Sequence, residues 1–127
     1  MTEEKIKYKL GKLKKALDSL IKALAEKESE IVRDATIQRF EYTSELFWKA
    51  FKVILEAQAK EVATPKQALS AAYQSGWIED EKLWLSIMTD RNICSHVYDE
   101  DRVKEIYVRI KTYVSEMQKV FDTVSKL

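Results

Sequence analysis

The stretch that decides the fold is residues 30–60, EIVRDATIQRFEYTSELFWKAFKVILEAQAK. Its apolar residues recur at helical spacing over much of the circumference and include Ile37, Phe40, Tyr42, Leu46, Phe47, Trp48, Ala50, Phe51, Val53, Ile54 and Leu55. A helix that is apolar over so much of its girth is expected to be central, with partners on more than one side. Ser29 is its predicted N-cap.

Helices are predicted on both sides of this central one. The first runs from about Glu3 to Lys27 with Thr2 as its N-cap, and its stripe of steps of three and four is Ile6, Leu10, Leu13, Leu17, Leu20 and Leu24. A short helix from Pro65 to about Gln74 is opened by Thr64 and closed at Ser75-Gly76.

Two more helices complete the chain. One begins near Glu81, capped by Asp80, and the last runs to about Ser125, capped by Asp99 or Asp101. The stripe of the last helix is Val103, Ile106, Ile110, Tyr113, Met117, Val120 and Val124. We therefore predict an all-α fold, an antiparallel up-and-down bundle of four long helices and one short, as one domain over residues 1–127. The long stripes and the wide apolar surface of the central helix also suggest a homodimer.

Composition narrows the function classes. Of the 127 residues, 46% are apolar and 34% charged, and the net charge of +1 provides no global basic field for nucleic acid. No glycine-rich phosphate loop is present, which argues against a nucleotide-binding P-loop or Rossmann protein. The one cysteine cannot form an internal disulfide and fits a reducing cytoplasm. The N-terminus lacks a signal-peptide core, and no apolar run suggests a membrane span.

The chemistry concentrates in Asp90–Asp99, DRNICSHVYD, which holds the only histidine and the only cysteine. Wound as the end of a helix, it places six polar side chains on one face roughly 160° wide. These are Arg91, Asn92, Ser95, His96, Tyr98 and Asp99. His96 can exchange a proton near neutral pH, and Arg91 can donate two hydrogen bonds to phosphate oxygens. This pair of residues is suited to metal-independent RNA cleavage. A lone histidine near a helix end also often only caps carbonyl groups.

Three other features of the sequence bear on function: the cysteine, the lysines of the first helix and the charged residues of the central helix. Cys94 is expected to be a small buried hydrophobe, and one His with one Cys cannot build a zinc site, so no metal or cofactor is predicted. The lysines of the first helix favour a solvated face, with a basic RNA-tracking face as the alternative; they are Lys5, Lys7, Lys9, Lys12, Lys14 and Lys15. The charged residues of the central helix either form a ladder of charges on its exposed surface or face Arg91 and His96. They are Arg33, Arg39, Glu41, Glu45 and Lys49.

Two stretches resemble a known family. Arg91-Asn92-x-x-x-His96-x-Tyr98 resembles the Arg-x4-His-x-Tyr motif of HEPN-domain proteins, and residues 37–49 resemble the second-helix signature of their nucleotidyltransferase substrate-binding subfamily. The resemblance implies a homodimeric ribonuclease toxin with Arg91 and His96 as catalytic residues. From spacing alone, Asn92, four residues before His96, can orient the ring or donate to the substrate, and Ser95 on the same face is the other supporting residue.

The same resemblance implies a partner. A minimal nucleotidyltransferase antitoxin would adenylylate Tyr98 and so silence the RNA-cleaving site. The alternatives are a non-catalytic subunit that holds a nucleotidyltransferase and presents its substrate, or a plain helical bundle in which the motif only packs.

Overall fold

A computed structural model describes residues 2–95 and 99–127 of the chain. It contains α1 (Thr2–Ala25), α2 (Glu30–Ala57), α3 (Pro65–Gln74), α4 (Glu81–Cys94) and α5 (Glu100–Val124). The described residues include no β-strand, so the predicted all-α fold of four longer helices and one short is confirmed.

Local capping explains where most of these helices begin. Side-chain oxygens of Ser29, Thr64, Asp80 and Asp99 each accept a hydrogen bond from a backbone N–H in the first helical turn. Gly76, with φ of 82°, follows α3 in the left-handed conformation that a side chain disfavours. Thr2 lies inside α1, so its predicted role as N-cap is wrong. Helix α2 ends at Ala57, three residues before the expected end.

Helix α2 is the central element, as predicted. Aromatic side chains of α2 pack against two other helices. The ring centroids of Phe47 and Trp84 of α4 lie 5.1 Å apart, and those of Phe40 and Tyr113 of α5 are stacked at 5.9 Å. Phe51 packs against Trp84 at 5.8 Å. The three phenylalanines are fully buried within one chain. Much of the apolar surface of α2 is therefore covered within one chain, while Tyr42 remains 40% exposed, and the homodimer stays a prediction.

The contacts give the relative directions of the four longer helices. Helix α1 runs antiparallel to α2, since Ser19 contacts Tyr42 while Lys5 and Lys9 lie beside Lys52. Helix α4 is likewise antiparallel to α2, since Arg91 bonds to Glu45 and Trp84 packs against Phe51. It is antiparallel to α5, since Asp90 bonds to Arg109 while Trp77, before α4, lies beside Val120. The C-terminal end of α4 is thereby brought against the middle of α2 and the first half of α5. No helix in residues 2–95 and 99–127 is long and apolar enough to cross a membrane.

Candidate functional site

The last turns of α4 are fixed to α5 by a buried carboxylate. Asp90 is only 5% exposed, and both of its oxygens accept hydrogen bonds from Arg109, at 2.8 Å from Nε and 2.9 Å from Nη2. The Tyr113 hydroxyl donates a third bond to Asp90 Oδ2 at 2.6 Å. A buried carboxylate is stable only when such partners replace water. This cluster therefore sets the position of the residue that follows Asp90.

The electrostatics of the cluster favour one set of protonation states. The hydrogen bond to Asp90 raises the pKa of the Arg109 guanidinium, which stays charged. Burial, and then the bond to Asp90, raises the pKa of the Tyr113 phenol, which stays a donor. Sequence reasoning missed this cluster and assigned Tyr113 to an apolar stripe. A signal existed, because Asp90 lies one turn from Ile87 and from Cys94, on the buried side of α4.

Arg91 is held by one carboxylate from α2. Its Nη2 donates to Glu45 Oε2 at 2.6 Å, and its Nη1 donates to Asn92 Oδ1 at 3.2 Å. The other Glu45 oxygen lies 3.4 Å from Lys49 Nζ. The Arg91 side chain remains 32% exposed, so it is accessible from solvent. These two hydrogen bonds fix the orientation of the guanidinium.

The interpretation that polar groups of α2 serve Arg91 is confirmed for Glu45. Two other charged residues of α2 have different partners. Arg33 pairs with Glu28 at 3.0 Å and with Glu100 at 3.3 Å, and Arg39 donates to the Ser19 carbonyl at 2.8 Å.

The predicted polar face is only partly continuous. Asn92 is exposed on the last turn of α4, and Ser95, also exposed, is the residue that ends the helix. His96 and Tyr98 lie outside the described residues. The predicted cap of the last helix is confirmed for Asp99, whose side chain accepts a hydrogen bond from the Asp101 N–H, whereas its predicted place on the polar face of α4 is wrong. Because the Asp99 carboxylate caps α5, it does not join the polar face of α4.

Cys94 is a buried hydrophobe, as the sequence predicted. It is 8% exposed, and burial, followed by the charges of Glu41 and Asp90, raises its pKa to about 12. Such a thiol is a poor nucleophile near neutral pH. Among the residues that the structure describes, no three His, Cys, Asp or Glu side chains are grouped so that they could hold a metal ion.

Comparisons with known proteins agree with this architecture. The sequence profile of a family described as "nucleotidyltransferase substrate binding protein like" matches residues 8–126. The chain is 31% identical to the "probable ribonuclease HepT" of Haemophilus influenzae, in a match covering 70% of this chain and 67% of that one. A crystal structure of a Thermus thermophilus protein is similar with a TM-score of 0.81 and 36% identity, covering 87% of this chain and 97% of the other.

Proposed function

Since this chain belongs to the nucleotidyltransferase substrate-binding family of HEPN-domain proteins, we propose that it is a metal-independent endoribonuclease, the toxin of a toxin–antitoxin pair. The observation that carries the proposal is the guanidinium of Arg91, held by Glu45 and Asn92 yet accessible, five residues before His96. The name of the Haemophilus relative supports the same reaction class.

The reaction needs one proton acceptor and one donor. His96 takes the proton from a ribose 2′-OH, whose oxygen then attacks the adjacent phosphorus, and Arg91 stabilises the charge that develops on the phosphoryl oxygens. The bond from phosphorus to the 5′-oxygen breaks, and that oxygen must receive a proton. One chain has one histidine, so a homodimer in which the partner subunit's His96 supplies this proton completes the reaction. The products are a 2′,3′-cyclic phosphate and a 5′-hydroxyl.

In this proposal, modification of Tyr98 controls the activity of the enzyme. The phenol oxygen attacks the α-phosphorus of ATP bound to a partner nucleotidyltransferase, the phenol loses its proton, and pyrophosphate leaves. The AMP group adds an anion to the same short stretch as Arg91. It occupies the place of the substrate phosphate and silences the enzyme.

Cleavage of a labelled single-stranded RNA in the presence of EDTA tests the proposal. The wild-type chain should cut it, whereas His96→Ala and Arg91→Lys should each be slower by on the order of a hundredfold or more. Arg102→Lys, a substitution at an exposed arginine of α5, is the matched control and should cut normally. Equal rates for wild type and His96→Ala would overturn the proposal.

The second candidate is a non-catalytic subunit that binds a nucleotidyltransferase. The description of the matched family favours it, as does the modest net charge of +1. Stable binding of the transferase by a wild-type chain that cuts no RNA would select this function.

A further inference from the structure

A groove between α1 and α2 concentrates positive charge next to Arg91. It has a volume of about 280 Å³ and is lined, among the described residues, by Lys5, Lys9, Lys49 and Lys52 together with Trp48, Val53 and Glu56. We call it the lysine groove. Its lining contains four lysines and one glutamate, although the whole chain has a net charge of only +1. The groove is therefore a local anion-attracting field on a nearly neutral protein.

The lysines of the groove differ in their pairing. Lys49 lies 3.4 Å from Glu45, and Lys52 lies 3.9 Å from Glu56. Neither Lys5 nor Lys9 forms an ion pair with any described residue, and no charge on the described surface offsets theirs by direct contact. Those two ammonium groups are available to an external anion.

Exposed aromatic surface lies beside these charges. Tyr8 is on the same side of α1 as Lys5, is 60% exposed, and has the Lys12 ammonium 5.1 Å from its ring centroid. Trp48, partly exposed, lines the groove. Proteins bind single-stranded nucleic acid by combining basic side chains that contact the phosphates with aromatic rings that stack on the bases.

The groove is linked to Arg91 through the carboxylate of Glu45. Glu45 contacts Arg91 through one oxygen and Lys49 through the other, and Lys52 follows about 10 Å farther along α2 from Glu45. We propose that the lysine groove binds the backbone of single-stranded RNA extending from the cleaved phosphate, with Tyr8 stacking on one base. This inference rests on the proposed ribonuclease function, for which it names the path of the substrate.

The test uses full-length His96→Ala protein, which holds RNA without cutting it, and a fluorescent twelve-nucleotide oligouridine. Lys5→Gln combined with Lys9→Gln removes the two unpaired lysines. The control is Lys7→Gln combined with Lys14→Gln, which removes the same charge from the opposite face of α1 and also breaks the exposed Lys14–Asp18 pair of 3.0 Å. Both pairs are on the surface of one helix, and circular dichroism should show them equally folded.

We expect the groove variant to bind at least fivefold more weakly at low salt. The slope of log affinity against log salt should fall in magnitude by about 1.4, roughly 0.7 for each lost phosphate contact. The control should change the affinity less than twofold and leave the slope intact. Tyr8→Leu should weaken binding severalfold without changing the slope, because stacking releases no counterions.

Three outcomes would overturn the inference. Equal weakening by both lysine pairs would show only a general charge effect, and unchanged affinity with Tyr8→Leu would remove the stacked base. Normal RNA binding by the groove variant with loss of nucleotidyltransferase binding would assign the groove to the protein partner. Failure of the proposed function is distinguishable, because it would appear as wild-type protein, with His96 present, that cuts no RNA.

Discussion

Asp90 and Arg109 form two parallel hydrogen bonds, 2.8 and 2.9 Å long, across the interface of α4 and α5. This bidentate pair lies one residue before Arg91, so the backbone that presents the candidate catalytic cation is fixed by a neighbouring ion pair. The Tyr113 hydroxyl completes the coordination of the same carboxylate at 2.6 Å.

Removing Arg109 should cost more stability than removing the Tyr113 hydroxyl. Arg109→Ala leaves the buried Asp90 carboxylate without its charge partner and should lower the free energy of unfolding by about 3 kcal/mol. Tyr113→Phe loses one hydrogen bond and should cost about 1–2 kcal/mol. Urea denaturation followed by circular dichroism measures both. Arg102→Ala, at an exposed position of α5, is the control and should stay within about 0.5 kcal/mol of wild type.

The alkaline limb of the stability curve should depend on Cys94. Its native pKa of about 12 lies above the ordinary value of 9.0, so the unfolded chain loses this proton first as the pH rises. Below pH 9 both states hold the proton and the contribution to stability is constant; above pH 9 stability should fall. In Cys94→Ala, the free energy of unfolding should decrease less steeply with pH. Denaturation curves recorded from about pH 8 to 11 measure this. A wild-type slope in the variant would contradict a thiol held protonated by burial.

Glu45 should restrain RNA binding at Arg91. In a His96→Ala background, Glu45→Gln keeps an oxygen that can accept from Arg91 but removes the negative charge 2.6 Å away. RNA affinity at low salt should rise by about fivefold, equivalent to about 1 kcal/mol, and the gain should shrink as salt is added. Fluorescence anisotropy measures it. Glu105→Gln, an exposed carboxylate on α5, is the control; an equal gain there would mean that only net charge matters.

Tyr98 should be the acceptor of AMP. Incubation with the cognate nucleotidyltransferase and ATP should add AMP to Tyr98 and abolish RNA cleavage. Tyr98→Phe removes only the hydroxyl and should remain active in the presence of the transferase. Peptide mass spectrometry locates the modification, and AMP on another residue, or a Tyr98→Phe chain still silenced through ATP, would refute the assignment.

The homodimer should be detectable directly. Light scattering at micromolar concentration should give twice the mass of the chain, because the proposed reaction requires two histidines and each chain has one. A monomer that still cuts RNA would show that a group other than the partner subunit's His96 protonates the leaving oxygen.

Much of the fold was predictable from the sequence because its signals are local. Ser29, Thr64 and Asp80 each cap a helix by accepting from an N–H three residues ahead, so the residue types and their spacing suffice. The apolar stripes of α1 and α5 likewise place their buried faces without reference to other helices. The end of α4 was harder, since the sequence allows Asp99 both on the polar face of α4 and as the cap of α5, and only the structure selects the cap.

The sequence by itself determined which residue types the candidate site contains, namely Arg91, Asn92 and a buried Cys94 near one histidine. Only the tertiary structure decided their partners. Glu45 meets Arg91 across 46 positions, and Asp90 meets Arg109 and Tyr113 across 19 and 23. Charged side chains are long and can pair with many candidates, so helix packing, which sequence spacing does not encode, selects the carboxylate that meets each cation.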